Sequence, residues 1–326
     1  MKIYLHTTAS ALPGNLVKNE DFTHFPPESL ERIVKNTGIV SRYRSGPGEA
    51  TSDLAIRAAR ACLDRIGFPA ESLDAVVLAT CTPDRLIPAT AGKVSCAIGA
   101  GRAYAFDINS ACSGSVYVLE VARGLIASGA ARHVLAIAAD TCSKFLNRED
   151  FATFPYFGDG AAAALLSAEE GLWELLGSVL HTDGRGYETV TMKAGGSEIP
   201  WANVKEEGDR YVTMDGRQVF AFANSKGAEV LEEVLAKCSI GKEEVSMFIV
   251  HQANINIIGQ IAKKLGVEAG RFHTNVQRLG NTAGASVLIA TDEYLAGAGA
   301  LPPGSNIVLA AFGAGLSWGG IALRRR

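Results

Sequence analysis

The chain has 326 residues, 48% of them hydrophobic and 20% charged, with a formal charge of −3. That balance belongs to a compact folded protein, one large domain or two ordinary ones, and excludes a disordered chain. The weak negative charge gives no electrostatic case for nucleic acid, and no apolar run approaches the length of a membrane span.

The first residues, Met-Lys-Ile-Tyr-Leu-His-Thr-Thr, lack the apolar core of a secretion signal and read as a strand, so the cytoplasm is the expected compartment. Strand-like runs then recur at 2–9, 73–81, 103–108, 133–139 and 161–167. Helical patterns lie between them at 51–66, 89–98 and 112–128, the last stopped by Gly129. A second series follows: a strand at 173–181, a helix at 219–238, a strand at 246–250 and helices at 254–265 and 282–296. Strands at 306–312 and 317–324 close the chain.

This alternation predicts an α/β fold with largely buried strands. Each half ends on a glycine turn followed by small apolar residues: Phe157-Gly-Asp-Gly160, then Phe312-Gly-Ala-Gly315. Each also sets a polar residue, Cys112 or Asn281, at the mouth of its third long helix. Two similar halves are expected, 1–170 and 171–326, with one active site between them. The Gly158-Asp-Gly160 turn lacks the spacing of either nucleotide fingerprint.

Cys112, His251 and Asn281 each stand where a loop turns into a helix, a position at which side chains and free N–H groups converge on ligands. Singly, each has a plain structural reading as a packed thiol, a satisfied polar residue or a cap. Together with the Gly-rich 312–319 segment they read as a site. A thiol at a helix start is expected to have a lowered pKa. Cys62, Cys81, Cys96, Cys142 and Cys238 are read as packing residues. With no Cys-x-x-Cys pair, neither a zinc site nor a disulfide framework is expected.

The motifs Asn36-Thr-Gly-Ile39, Ala79-Thr-Cys-Thr-Pro-Asp84, Asp107-Ile-Asn-Ser-Ala-Cys-Ser-Gly114 and Tyr156-Phe-Gly-Asp-Gly160 run through the first half. Ala194-Gly-Gly-Ser197, Met214-Asp-Gly-Arg-Gln-Val-Phe220, His251-Gln-Ala-Asn254 and Gly280-Asn-Thr282 continue them. In this order and spacing the sequence resembles the β-ketoacyl-acyl carrier protein synthase III family of thiolase-fold condensing enzymes over nearly its whole length. The resemblance implies a thiolase-like fold layered αβαβα, acyl transfer from a thioester to Cys112, and a decarboxylative Claisen condensation with a malonyl thioester. It implies no metal and no redox cofactor.

In that reading Cys112 is the nucleophile, and the Cys112 N–H with the loop Gly313, Ala314 and Gly315 holds the first oxyanion. His251 and Asn281 hold the enolate. The acyl carrier protein is the implied partner, docking at the basic pair Lys263 and Lys264, and homodimers are implied in which the loop 84–88 reaches the partner's acyl pocket. Ile87 stands where an aromatic residue often blocks that pocket.

The entrance departs from the family pattern. Arg32, Asn36 and Phe151 replace a Trp and two Arg that hold coenzyme A, while Asn256 and Ala221 replace cations on the docking face. Acetyl-CoA is therefore expected to be a poor primer, unless Arg32 takes over the adenine by stacking. Fatty acid initiation and a specialised acyl or polyketide pathway both stay open. The alternatives are an acyltransferase on this fold that passes the acyl group to an alcohol or amine, a cysteine hydrolase, and a non-catalytic scaffold.

Overall fold

The computed structural model describes residues 1–297 and 301–326. Strand β1 (Tyr4–Ala11) opens the chain and is followed by β2 (Asn15–Lys18), helix α1 (Pro27–Thr37) and β3 (Ser41–Arg44). Then come α2 (Thr51–Asp64), β4 (Ala75–Ala79), α3 (Thr90–Ile98), β5 (Tyr104–Ile108), α4 (Gly114–Ala127), β6 (His133–Asp140) and β7 (Gly160–Ser167). Every residue of β4 and β7 is buried, as their unbroken small-apolar sequences require of strands covered on both faces.

Helix α1 is absent from the sequence reading, although it carries ordinary boundary signals. Pro27 begins it, and Gly38 ends it at φ 78° with its N–H on the Val34 carbonyl. Its buried Ile33 joins the core around α6. The short antiparallel pair β2–β3 is likewise an addition.

The second half holds β8 (Trp173–Thr182), the small pair β9 (Val190–Thr191) and β10 (Thr213–Met214), and α5 (Gly216–Cys238). It continues with β11 (Val245–Val250), α6 (Ile255–Leu265), α7 (Val276–Leu279), α8 (Ser286–Gly297), β12 (Asn306–Gly313) and β13 (Ser317–Arg325). Helix α5 starts earlier than expected because the Asp215 carboxylate caps it, accepting from the Arg217 and Gln218 N–H groups at 3.0 and 3.1 Å. Both α4 and α8 are preceded by one tight 3-10 turn, Ala111–Ser113 and Ala283–Ala285.

The large sheet has the order β11-β12-β13-β8-β1-β7-β6-β4-β5. Outward from its centre, β1-β7-β6-β4 and β8-β13-β12-β11 repeat one pattern: two antiparallel pairings and then a parallel one. The two runs pair at Tyr4–Glu174 and Leu5–Trp173, with the Leu175 N–H on the Ile3 carbonyl beside them. Strand β5 extends the first run alone.

Helices α4 and α8 touch strands of both runs, α2 and α3 cover the first run, and α5 covers the second with α6 packed against it. Three cores result. One centres on α2 and α3, one on α5 and α6, and the third joins α4 and α8 to both runs. This is the αβαβα layering. Among the described residues, no helix is long and apolar enough to cross a membrane.

Candidate active site

The two central helices begin in matching elbows. Ala111 and Ala283 both have φ 46°, a left-handed conformation that costs a residue with a Cβ and persists only where its surroundings impose it. In each elbow an Asn side chain accepts the N–H two residues on: Asn109 from Ala111 at 3.1 Å and Asn281 from Ala283 at 2.9 Å. The elbows press together. A Cβ on Gly284 would lie 2.8 Å from the Ala111 carbonyl oxygen, and one on Gly114 would lie 3.3 Å from the Gly284 Cα. The counterpart of Cys112 is therefore Gly284, not Asn281; Asn281 matches Asn109.

Cys112 sits in the first elbow, and Gly313 at the end of β12 faces it. A Cβ on Gly313 would come 2.7 Å from the Cys112 nitrogen, so only glycine leaves that N–H open to a ligand oxygen. The expected lowering of the thiol pKa is overturned. Burial first, then the negative potential of Cys81 and Asp140, pushes the Cys112 thiol well above 9.0. Desolvation outweighs the dipole of a helix whose first turn is 3-10.

Asp140, wholly buried, ties this region together. Its Oδ1 accepts from the Cys81 N–H at 2.9 Å and from the Thr80 and Thr82 hydroxyls at 3.1 and 3.2 Å. Its Oδ2 accepts from the Gly284 N–H at 2.8 Å. Burial raises its pKa to about 6 against these hydrogen bonds. An acid at the end of an all-apolar strand was the available signal for Asp140, and sequence reading passed over it. Cys81 and Cys142, read as packing residues, belong to this cluster.

His251 follows β11 and is buried, its N–H on the Ala310 carbonyl at 2.9 Å. Its Nδ1 lies 2.6 Å from the Ser286 hydroxyl, a partner sequence reading missed, and its ring stands edge-on to Phe312. Burial drops its pKa to about 3, so the imidazole is neutral near pH 7. Asn281 is held by its backbone, its N–H on the Tyr156 carbonyl at 2.9 Å and its C=O on the Gly158 N–H at 3.0 Å. Arg42 donates to the Pro155 carbonyl at 2.6 Å and Arg44 to the Phe154 carbonyl, bracing that segment from behind. With its Oδ1 taken by Ala283, Asn281 keeps its Nδ2 hydrogens for a ligand.

Cys112, His251 and Asn281 line one cavity of about 350 Å³, with Gly313 and Ala314 on its wall and Asn36 among its polar residues. Cys112, Ala314 and Gly315 also line a second cavity, of about 510 Å³. Other expected residues are not part of either wall. Ile87 is 84% exposed at a loop tip, and Arg32 is exposed on α1. Phe151 packs its ring against Phe25 and Tyr156, leaving Ala152 to line the first cavity. Lys263 and Lys264 are exposed in the last turn of α6.

The 3-oxoacyl-(acyl-carrier-protein) synthase III profile matches residues 106–184, and the profile of that family's C-terminal part matches 235–325. The β-ketoacyl-acyl-carrier-protein synthase III of Clostridium perfringens is 40% identical over 312 residues, 96% of either chain. The chain belongs to the synthase III family.

Among solved structures, the synthase III of Aquifex aeolicus superposes with a TM-score of 0.89 at 35% identity, covering 99% of each chain. A priming β-ketosynthase of a polyketide biosynthetic pathway superposes with a TM-score of 0.89 at 29% identity, covering 99% of this chain and 96% of its own. The fold is thus thiolase-like α/β, and the protein is a synthase III-like condensing enzyme, an acyltransferase.

Proposed function

We propose that Cys112 carries the acyl group and that His251 and Asn281 carry the malonyl half-reaction of this synthase. The observation behind the assignment is that all three side chains line one cavity. In the first half-reaction Cys112 Sγ adds to the thioester carbonyl, whose oxygen takes up charge against the Cys112 N–H beside Gly313. The bond to the donor sulfur breaks, and the thiol proton leaves with the donor thiol.

In the second, malonyl thioester loses CO2, and the electron pair of the broken C–C bond moves into an enolate. The oxygen of that enolate accepts from Asn281 Nδ2 and from His251 Nε2–H, the tautomer set when the Ser286 hydroxyl donates to Nδ1. The enolate carbon attacks the acyl carbonyl on Cys112, a C–C bond forms, the C–Sγ bond breaks, a 3-oxoacyl thioester departs, and the Cys112 thiolate takes a proton from water to restore the thiol. The neutrality of His251 suits this role, because a donor that cannot ionise near pH 7 stays a donor. The substrates supply every electron pair, so the scheme uses no metal and no redox cofactor.

The acyl carrier protein named for the family is the proposed partner, with Lys263 and Lys264 as its docking cations. The entrance favours a carrier-bound or longer acyl donor over acetyl-CoA. Asn256 spends its Nδ2 on the Asn36 carbonyl at 2.6 Å, and Phe151 is tied up in aromatic packing. Purified protein given an acyl thioester and malonyl-carrier protein should release CO2 and label Cys112. Asn281→Ala should lose CO2 release by roughly 10²–10³ while still loading Cys112. Equal loss of both steps would make Asn281 an organiser of the site. Release of free acid, ester or amide without CO2 would favour the non-decarboxylating acyltransferase. Loading fastest from acetyl-CoA would defeat the donor assignment.

A further inference from the structure

Strands β4 and β6 run parallel in register, Ala79 beside Ala138, and stop at the same end of the sheet. At that end the chain places Cys81, Asp140 (the last residue of β6) and Cys142, whose donor atoms all lie within 4.8 Å of one another. Cys81 Sγ is 3.3 Å from Asp140 Oδ1. In a tetrahedral zinc site with bonds near 2.3 Å to sulfur and 2.1 Å to oxygen, adjacent sulfur and oxygen ligands stand roughly 3.6 Å apart. The Cys81–Asp140 pair is already close to that spacing.

The charge state of the cluster points the same way. Asp140 is wholly buried, and among the described residues no Lys, Arg or His nitrogen lies within ion-pair distance of it. Its hydrogen-bond partners are backbone N–H groups, two threonine hydroxyls and the Cys81 thiol, all neutral donors. A buried carboxylate without a counter-charge is costly, and a divalent cation would supply one. At Oδ1 the cation would take the place of the Cys81 thiol proton, while Oδ2 stays on the Gly284 N–H at 2.8 Å. The site is also reachable, because Cys81 and Cys142 both line the 510 Å³ cavity that Cys112 lines.

We propose that Cys81, Asp140 and Cys142 bind one thiophilic divalent cation of the zinc and cadmium class, against the wall of the 510 Å³ cavity, taken here as the acyl cavity. Two sulfurs and one oxygen select such a cation over magnesium or calcium, which take oxygen donors. Binding forms two metal–sulfur bonds and one metal–oxygen bond and releases the two thiol protons to buffer; nothing is oxidised or reduced. The fourth position faces the cavity and is filled by water or by Cys112, which packs against the same cluster. Occupancy then obstructs the acyl cavity beside the nucleophile, so the cation acts as an inhibitor of acyl loading rather than as a participant in it.

The test uses the full chain and Cd²⁺ as the probe, read by the ultraviolet sulfur-to-cadmium charge-transfer band. One equivalent should develop the band, Zn²⁺ should compete it away, and Cys81→Ser and Cys142→Ser should each weaken binding by about 100-fold. Far-ultraviolet circular dichroism checks that each variant folds, and Cys142→Ala replaces any serine variant that does not. Cys112→Ala separates this site from capture by the nucleophile: a band that survives there but is lost in the Cys81 and Cys142 variants supports the assignment. No band at one equivalent, or a band that persists in either the Cys81 or the Cys142 variant, overturns it and leaves the two thiols as packing.

Discussion

Cys112 shows how far burial can reverse a local electrostatic expectation. A full helix N-terminus contributes about 0.3–1 kcal/mol toward a thiolate, whereas taking a charge out of water costs several. Here the dipole is further weakened by the 3-10 turn, and the buried Asp140 adds like charge. Alkylation of Cys112 by iodoacetamide should therefore be slow at pH 7 and should still be accelerating above pH 9, read by mass spectrometry against time. A rate that levels off between pH 6 and 8 would mean a resting thiolate.

His251 makes the complementary statement about stability. Its pKa is about 3 when folded and 6.5 unfolded, so between these values the unfolded chain binds the extra proton. The stability it contributes is present above pH 6.5 and is lost as pH falls, by about 1.4 kcal/mol per pH unit. Urea unfolding of the wild type should thus lose about 2 kcal/mol more between pH 7 and pH 5 than unfolding of His251→Ala. Parallel pH slopes for the two proteins would show that His251 is not held neutral by burial.

At the scale of elements, the chemistry depends on how closely two elbows and one strand end approach each other. Gly313 is the point where that approach is tightest, with the Cys112 backbone 2.7 Å from where a Cβ would be. Backbone cannot swing aside as a flexible side chain can. Gly313→Ala should therefore lower single-turnover acyl loading by roughly 10²–10³, the usual effect of losing an oxyanion donor, without changing the circular dichroism. Gly92→Ala on α3, where a Cβ meets nothing within 4 Å, serves as the control. Loading within a few-fold of wild type would show that the oxyanion is held elsewhere.

The same scale explains what the sequence could tell. Strands such as β4 and β7 are legible because burial on both faces leaves an unbroken apolar run, and Cys112, His251 and Asn281 because each interrupts the pattern at a loop-to-helix turn. The cluster at Asp140 is not legible, since Cys81 and Asp140 are 59 residues apart and meet only through parallel strand pairing. The pairing of Cys112 with Gly284 escaped for a related reason. Sequence likeness followed the polar residues, while the duplicated backbone follows the strained alanines Ala111 and Ala283.

At the scale of the whole molecule, the loop that follows β4 is the clearest unfinished surface. Leu86 is 72% and Ile87 84% exposed, side by side and followed by Pro88. The root of the loop is firmly set: the Asp84 carboxylate accepts from the Ser52 N–H and hydroxyl at 3.0 and 2.7 Å and from Lys93 at 2.8 Å. A firmly rooted apolar tip in water is poised to insert into a partner, and the proposed partner is a second copy of this chain, beside its acyl cavity. Burying a Leu or Ile side chain is worth about 1.5–3 kcal/mol, and a twofold dimer counts each one twice. Sedimentation at micromolar concentration should report a dimer. Replacing the tip with Leu86→Asp and Ile87→Asp should weaken it by at least about a thousand-fold, since that needs only some 4 kcal/mol. If the tip closes the partner's cavity as proposed, the same double variant should change the length of acyl chain loaded on Cys112. A wild-type monomer, or a variant dimer with unchanged chain preference, would place both the tip and the end of the acyl pocket elsewhere.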